Sequence, residues 1–244
     1  MTDPRLLLEK LKEKTWLSLS HPVNDEIPHF ETFDKVKIED VASIDKDGFW
    51  GCQINIGSQY GTHIDAPNHF AKNTRSLLEI PFSERCLNLF VIDISKKVEN
   101  NPDYELSLED IKQFEEKYGQ IEENSFVALR TDWAKRFSDK DSFINKDKDG
   151  VEHTPGWSLE ALTFLNEKRK VCAIGHETLN TDAGIKLYEN KALEAEYYWL
   201  SQNKYQVEIL NNLNKLPYTG GIIIISFPQI ENISGFGVEA TAIF

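Results

Sequence analysis

The sequence has few cysteines, and they are scattered. Only three of the 244 residues are cysteine, at positions 52, 86 and 172, and no pair has the C-x-x-C spacing of a zinc or redox motif. An odd number of separated cysteines is typical of free thiols in a reducing compartment rather than of a disulfide framework. We therefore expect a cytoplasmic protein.

The sequence is also short of basic residues and of long apolar runs. Lys and Arg total 27 against 40 Asp and Glu, a net charge of −13. Such a surface repels nucleic acid phosphates and anionic membranes, so we expect neither as a partner. The longest apolar run, residues 222–225, is too short to span a bilayer. From its charge, we expect the N-terminal segment to be neither a signal peptide nor an anchor.

Several widespread motifs are missing. The sequence contains no G-x-S-x-G nucleophile motif, no phosphate-binding P-loop and no glycine-rich dinucleotide fingerprint. The charged segment 139–150 lacks the spacing of an EF-hand calcium loop. No internal repeat, low-complexity stretch or linker is present either. One domain over residues 1–244 is therefore expected.

Hydrophobic patterning predicts strands that alternate with helices. Strands are predicted at residues 52–56, 89–94, 125–130, 171–174, 206–210, 221–226 and 239–244. Helices are predicted at residues 4–14, 107–119, 157–168 and 190–200. Alternation of this kind through the middle of the chain predicts a layered α/β domain.

Residues 58–70, SQYGTHIDAPNHF, hold the densest set of potential metal ligands and proton carriers. These side chains fall on odd-numbered positions, at Gln59, His63, Asp65 and His69. On an extended strand, side chains two residues apart share a face, so all four would point the same way. An amide oxygen, imidazoles and a carboxylate together suit Mn²⁺ or Zn²⁺.

A straight strand cannot bring this set together. The two ends of the set would lie about 33 Å apart, whereas its middle pair, His63 and Asp65, would lie about 7 Å apart. Bends at Gly61 and Pro67 would bring the ends towards the middle. Spacing alone leaves two interpretations open, a metal centre or an ordinary hydrogen-bonded loop.

The run Q-Y-G-T-H-I-D-A-P-N-H resembles the signature H-x-G-T-H-x-D-x-P-x-H of the cyclase family of metal-dependent hydrolases. That family includes kynurenine formamidases and isatin hydrolases. Six of the seven specified positions match. The segments LSLSHPVNDEIPHF, VALRTDW, AIGHETLNTD, VEILNNLNKLP and SGFGVEATAIF resemble further family segments, so the resemblance covers nearly the whole chain.

The resemblance implies a swivelling β/β/α fold and a set of roles. By position, the residues that correspond to the family's metal ligands are Gln59, His63, Asp65 and Glu208. The last signature histidine, His69, corresponds to the general acid/base. A further family histidine, found in members with two ions, aligns loosely with Glu196. We expect one firmly held ion, Mn²⁺ or Zn²⁺, with room for a second.

Two departures from the family pattern affect this expectation. Gln59 stands where the family has a histidine ligand, and its amide oxygen is neutral and weak. Glu196 stands in place of the other histidine. His176 falls where the family commonly has another residue, so it is a compensating ligand or a substrate-facing residue. Nearby, Glu177 and Asp182 are candidates for orienting ligands, although helix capping is the ordinary role of Asp182.

Four residues are candidates for substrate binding, each with an ordinary alternative. Phe30 and Trp50 suit an aromatic pocket, but core packing is the more common role for each. His29, like His21, lies in a loop where most histidines are structural. Arg130 at a strand end suits a substrate carboxylate, although a surface ion pair explains it as well.

The resemblance favours a hydrolase of a small amide, a cyclic amide or a lactone. A divalent ion would activate water for attack on the bond, and His69 would carry the proton. Two alternatives remain: a cyclase or dehydratase that uses the ion as a Lewis acid, and a non-catalytic binding relative with a degraded metal site. The expected partners are a small-molecule substrate and further copies of the chain, in a homodimer or homotetramer.

Overall fold

Strands outnumber α-helices in the described part of the chain. The computed structural model describes residues 3–244, which contain thirteen β-strands and eight α-helices. The strands are β1 (Trp16–Ser18), β2 (Lys37–Ala42), β3 (Gly51–Asn55), β4 (His63–Asp65), β5 (Cys86–Asp93), β6 (Glu105–Leu106), β7 (Phe126–Arg130), β8 (Gly156–Trp157), β9 (Ala173–His176), β10 (Tyr205–Glu208), β11 (Gly221–Ser226), β12 (Gly235–Gly237) and β13 (Glu239–Ile243). The α-helices are α1 (Pro4–Lys12), α2 (Ile44–Asp47), α3 (Ser95–Asn100), α4 (Leu108–Tyr118), α5 (Lys140–Ile144), α6 (Leu159–Glu167), α7 (Gly184–Asn190) and α8 (Glu194–Ser201). Among the described helices, none combines the length and the apolar character needed to cross a membrane.

Nine strands form one mixed sheet. Their order across the sheet is β1, β13, β11, β5, β7, β9, β10, β4, β12. The central run from β5 to β10 is parallel, and β4 is antiparallel to both of its neighbours. The three connections within the parallel run contain α4, α6 and α8, as parallel strands require long crossovers. The predicted α/β architecture is confirmed.

The sheet curls until its two ends meet. β12 lies at one end of the strand order and β13 is second from the other end, yet the single residue Val238 connects them. The concave face encloses one buried cluster, to which Ile64, Val207 and Ile223 belong. The other face is covered by α4, α6 and α8, whose apolar side chains, such as Trp199, form a second core with the strands.

The predicted helices are present, with one correction. Ser107 and Ser158 cap α4 and α6 through their side-chain oxygens, as the sequence indicates. The helix predicted over residues 190–200 is present as α8 but begins later, at Glu194, and a separate helix, α7, precedes it. Lys191 has a left-handed φ of 55°, which ends α7 before α8 begins. Trp157, expected at the start of α6, lies in the short strand β8.

A hairpin of β2 and β3, joined through α2, stands apart from the nine-stranded sheet. We call residues 37–55 the arm. No side chain in the arm is buried. Six large apolar side chains of the arm are each more than half exposed, those of Ile38, Val41, Ile44, Phe49, Trp50 and Ile54. An apolar surface of this kind on a hairpin is typical of a region that contacts another protein.

Candidate metal centre and active site

The site is built on β4, which lies between β10 and β12. In the antiparallel register, His63 is opposite Glu208 and Asp65 is opposite Gln206. Because residues two apart on a strand share a face, these four side chains project from the same side of the sheet. All four are buried. The register therefore joins two segments that are far apart in the sequence.

The chain bends at Gly61 and Pro67, on either side of β4, as the sequence suggests. Gly61 has a φ of 69°, which glycine adopts without strain. Pro67 opens a 3₁₀ turn that ends with His69. This turn brings His69 Nε2 to 3.9 Å from Asp65 Oδ1. His63 on β4 and His69 at the end of the turn thus reach the same carboxylate.

His63, Asp65 and Glu208 form the first cluster of potential ligands. His63 Nε2 lies 3.5 Å from Asp65 Oδ2 and 3.3 Å from Glu208 Oε2. His63 Nδ1 lies 2.8 Å from the backbone oxygen of Gly61 and donates to it, because a carbonyl can only accept. The lone pair of Nε2 is then directed at the carboxylates, as in a metal ligand.

Asp65, His69 and Glu196 form a second cluster that shares Asp65 with the first. In each cluster, the potential ligand atoms lie within 4.8 Å of one another. Glu196 comes from the first turn of α8 and is buried. His69 is the most exposed member, with one third of its side chain accessible.

The pKa shifts in the two clusters indicate a site that favours a cation. Burial raises the pKa of Glu196, and the nearby carboxylates of Glu208 and Asp65 raise it further, well above its usual value. Burial alone would lower the pKa of His63, but Asp65 and Glu208 outweigh it and hold that pKa well above its usual value. Burial opposes ionisation of Asp65 too, yet His63 keeps its pKa below the usual value.

The donor set fits a divalent ion. Within residues 3–244, no Lys or Arg side chain pairs with Asp65, Glu196 or Glu208. Asp65 Oδ1 is buried without a hydrogen-bond partner. Buried carboxylates are stable when they are paired or coordinate a metal. Oxygen and imidazole donors of this kind suit Mn²⁺ or Zn²⁺.

A cavity of about 230 Å³ opens directly above the clusters. Members of both clusters lie on its floor, and an apolar wall faces them. The wall includes Phe30, Phe33, Phe70, Leu179 and Leu193. A small, flat, largely apolar molecule with one polar reacting group matches this division of the cavity.

Comparison with known proteins places the chain in a family. Residues 17–183 match a family model described as "Putative cyclase". The chain belongs to the cyclase family. It is 32% identical over 218 residues to the isatin hydrolase of Roseibium aggregatum, covering 86% of this chain and 81% of that protein.

Solved structures agree with this assignment. Isatin hydrolase A from Ralstonia solanacearum superposes with a TM-score of 0.92 at 29% identity, covering 100% of this chain and 97% of that one. An isatin hydrolase bound to the product analogue thioisatinate gives a TM-score of 0.92 at 27% identity, covering 100% and 99%. These similarities confirm the predicted enzyme class of this chain, which is a metal-dependent hydrolase that acts on amide C–N bonds.

Gln59, the departure from the family signature, is buried and contacts the proposed proton carrier. Its Oε1 accepts a hydrogen bond from the Ser58 hydroxyl. Its Nε2 lies 3.4 Å from His69 Nδ1 and 3.2 Å from Ser234 Oγ. In this arrangement Gln59 holds the ring of His69. Its role as a metal ligand remains a prediction.

His176 lies beside Glu208 rather than in the cavity. The Trp157 indole N–H donates to His176 Nδ1 at 3.2 Å, so the neutral ring carries its proton on Nε2. Nε2 is 3.3 Å from Glu208 Oε1, within ion-pair distance but not aligned as a hydrogen bond. This contact favours His176 as a residue that orients Glu208. A direct ligand role remains a prediction.

The two acidic candidates next to His176 have different partners. Glu177 Oε2 accepts from the backbone and hydroxyl of Thr131 and from the backbone of Trp133, at 2.7, 2.8 and 3.1 Å. Asp182 accepts from the backbone N–H groups of Ala195 and Glu196 at 2.9 and 3.0 Å. Asp182 therefore caps α8 and, through that helix, positions Glu196.

Of the four predicted substrate-binding residues, Phe30 is the one that lines the cavity. His29 is buried, with Nδ1 2.9 Å from the Ile27 oxygen and its ring stacked on Tyr60. Trp50 lies on the arm. Arg130 forms ion pairs with Asp93 and Asp132, both at 2.8 Å, which matches the ion-pair alternative to substrate binding. His21, the other loop histidine, stacks on Phe137 at 3.7 Å.

Sequence reasoning missed four residues that support the site: Gln206, Thr181, Ser234 and Trp157. Gln206 had a usable signal, because it lies two residues before Glu208 on a predicted strand and so shares its face. The other three carry no such signal, since they reach the site from separate segments.

Gly235 permits the close approach of β12 to β4, where it lies opposite Asp65. A Cβ atom at this position would lie 2.3 Å from the backbone oxygen of Ile64 and 2.8 Å from Gln59 Nε2. Neither distance is tolerated by a real side chain, and one of the contacts is backbone. Because glycine has no Cβ atom, Gly235 allows β12 to pair with β4 beside Asp65.

Proposed function

We propose that this cyclase-family enzyme opens the amide ring of a small aromatic cyclic amide of the isatin type. The observation that carries the proposal is the cavity of about 230 Å³, which sets an aromatic wall opposite a floor of histidine and carboxylate groups. The similarity to isatin hydrolases supports the same substrate class. N-formyl aromatic amides and small lactones are the next substrates to consider.

His63, Asp65 and Glu208 are proposed to hold the catalytic ion, Mn²⁺ or Zn²⁺, with Glu196 beside a second position. A bound divalent ion supplies an activated water and polarises the carbonyl of the substrate. The burial of Asp65 and Glu208 supports this role, because carboxylates without a cationic partner are costly inside a protein. The aromatic wall excludes bulk water from the reacting bond.

His69 is proposed to move the proton. Its Nε2 faces Asp65, while Nδ1 lies 3.2 Å from Ser234 Oγ. The hydroxyl of Ser234 can accept a hydrogen bond from Nδ1 or donate one to it. His69 can therefore present a lone pair at Nε2 to the attacking water, then a proton to the departing nitrogen. Gln59 Nε2 donates to Ser234 Oγ at 3.2 Å and so supports the hydroxyl that accepts from Nδ1.

The test is hydrolysis by the purified protein after metal removal and reloading. Isatin, N-formylkynurenine and a simple lactone are offered to chelator-treated, Mn²⁺-loaded and Zn²⁺-loaded protein. We expect ring opening of isatin that returns with one of the two ions. Tight substrate binding without turnover would support a non-catalytic relative, and ring closure or dehydration would support a cyclase. Turnover that survives complete metal removal would contradict the proposal.

We also propose that the chain assembles as a homodimer or a dimer of dimers through the arm. A two-stranded hairpin by itself is marginal in water, and the arm carries six apolar side chains that are each more than half exposed. A stable interface buries about 800 Å² on each partner, and side chains of this size and exposure provide area of that order. A second copy presents the same surface, which suits a two-fold contact.

Light scattering after gel filtration tests the assembly. Ile38 and Ile54 pair across the arm, and replacing both by Ser is expected to give monomers. Phe82→Ser is the matched control, because Phe82 is exposed but lies outside the arm. A double variant with the mass of the native assembly would contradict the arm as the interface.

We propose a cytoplasmic location on the basis of the cysteines. All three are free, and Cys52 and Cys86 are exposed. Exposed unpaired thiols persist in a reducing compartment. Recovery of the protein in the periplasmic or secreted fraction of its host would contradict this location.

A further inference from the structure

Gln206 lies at the centre of the three buried carboxylates. It is completely buried on β10, next to Glu208 in the strand and opposite Asp65 across it. Its Nε2 is 3.0 Å from Glu208 Oε1, 3.1 Å from Glu196 Oε1 and 3.4 Å from Asp65 Oδ2. The same amide group therefore contacts both clusters of potential ligands.

Thr181 fixes which way this amide faces. The hydroxyl of Thr181 donates to Gln206 Oε1 at 2.8 Å, and both side chains are buried. If the amide were reversed, its oxygen would face three carboxylates and would be repelled by all of them. The carboxylates and Thr181 thus favour the same orientation, with the NH₂ group towards the ligands.

We propose that Gln206 is a positioning residue that engages one oxygen of each carboxylate and leaves the other for the cation. The inference rests on the proposed metal-dependent function. Asp65 Oδ1, the oxygen not contacted by Gln206, is the one without a hydrogen-bond partner. Glu208 Oε2, also not contacted by Gln206, is the oxygen that faces His63 Nε2 at 3.3 Å. Glu196 follows the same pattern, with Oε1 engaged.

The amide also separates like charges without adding one. Its two protons serve three acceptors, so at least one hydrogen bond is shared, and the contact to Asp65 is the longest. Asp65 is consequently the carboxylate that Gln206 restrains least, and it belongs to both clusters. A lysine here would neutralise the acidic groups and compete with the ion. A neutral donor orients the carboxylates and keeps their charge for a metal.

The test measures Mn²⁺ affinity with added Mn²⁺ alone, from the free-ion signal in electron paramagnetic resonance. Gln206→Leu removes the donors at nearly constant volume and is expected to weaken Mn²⁺ binding at least about tenfold. Thr181→Val leaves the Gln206 oxygen without its donor and is expected to weaken binding about threefold. Thr181→Ser keeps the hydroxyl and is expected to restore wild-type affinity. Gln120→Leu, at an exposed position just after α4, is the control for a glutamine elsewhere.

The double variant Gln206→Leu with Thr181→Val separates positioning from packing. Because Thr181 acts through Gln206, the second change should add nothing to the first. A Gln206→Leu protein that melts earlier in chelator but binds Mn²⁺ within twofold of wild type would overturn the proposal, since only packing would then be affected. If Gln206→Leu does not fold, equal Mn²⁺ affinities for Thr181→Val and Thr181→Ser would overturn it.

Failure of the proposed function gives a different result. A wild-type protein that binds no Mn²⁺ or Zn²⁺, or that turns over isatin without either, removes the metal-dependent reaction and this inference with it. A wild-type protein that binds Mn²⁺ and hydrolyses its substrate, while the Gln206 variant binds Mn²⁺ equally well, removes the positioning role alone.

Discussion

Glu177 and Glu196 are both fully buried glutamates, and burial raises the pKa of each, yet their surroundings differ. Glu177, at the end of β9, accepts three hydrogen bonds from Thr131 and Trp133, and its pKa is raised to about 7. Glu196 accepts one from Gln206 and lies near the carboxylates of Glu208 and Asp65.

The difference indicates how to recognise a cation site in a buried acidic region. A lone glutamate that accepts several hydrogen bonds has its own compensation and can take a proton when needed. Carboxylates that share one small volume cannot all be compensated by hydrogen bonds, because each also raises the cost of charge on the others. Proximity of several carboxylates, rather than burial, therefore marks the metal centre.

The largest effect is expected for Asp65→Asn, because Asp65 belongs to both clusters. Loss of its charge should lower kcat/KM more than about a hundredfold, since even the outer partners of metal ligands change affinity or activity 10–100-fold. Metal content after dialysis should fall in parallel. Asp149→Asn, on an exposed turn outside both clusters, is the control. A variant that keeps its metal and its activity would place the ion elsewhere.

The next effect is expected for His69→Ala. Removal of the proposed proton carrier should lower kcat about a hundredfold, the common scale for general acid–base catalysis. Mn²⁺ in the first cluster should remain, because His63, Asp65 and Glu208 are intact. His153→Ala, which breaks an ion pair with Asp103 away from the cavity, serves as the control. Loss of that metal from His69→Ala would make His69 a ligand instead.

A matched pair tests the comparison directly. Glu196→Gln should weaken Mn²⁺ binding about tenfold, whereas Glu177→Gln should leave it unchanged, because Glu177 faces Thr131 and Trp133 rather than the clusters. Isothermal titration with MnCl₂ gives both affinities. Equal losses of Mn²⁺ affinity in the two variants would show that burial of a glutamate, rather than its proximity to other carboxylates, determines Mn²⁺ binding.

The smallest effect concerns stability alone and its pH dependence. The pKa of Glu177 is about 7 in the folded protein, against 4.5 for the free side chain, so the folded state binds the proton more tightly. Stability from this group is fully present below pH 4.5 and is lost as pH rises through 7. Glu177→Gln, which cannot ionise, should gain about 3 kcal/mol relative to wild type across this range. Urea unfolding in chelator at pH 4.5, 6 and 8 measures the free energy of unfolding of both proteins. A difference between them that does not change with pH would contradict ionisation of Glu177 as its cause.

Much of the fold and the centre of the site could be predicted from local signals. Hydrophobic patterning located the main strands, and the odd-numbered run with its two bends indicated His63, Asp65 and His69. The contact of Gln206 with Asp65 depends on the register between β4 and β10, which the sequence does not encode locally. The break at Lys191 was missed because a left-handed lysine has no distinctive sequence signal.

Gly235 shows how a residue without functional groups can be as restricted as a ligand. A random substitution there places a Cβ against the Ile64 carbonyl and beside Asp65 Oδ1, which lies 3.1 Å from that position. In a mutational scan selected for activity, we expect alanine and every larger residue at position 235 to be depleted as strongly as replacements of Asp65. Intolerance in such a scan would therefore mark the space that a catalytic carboxylate needs, as well as the carboxylate itself.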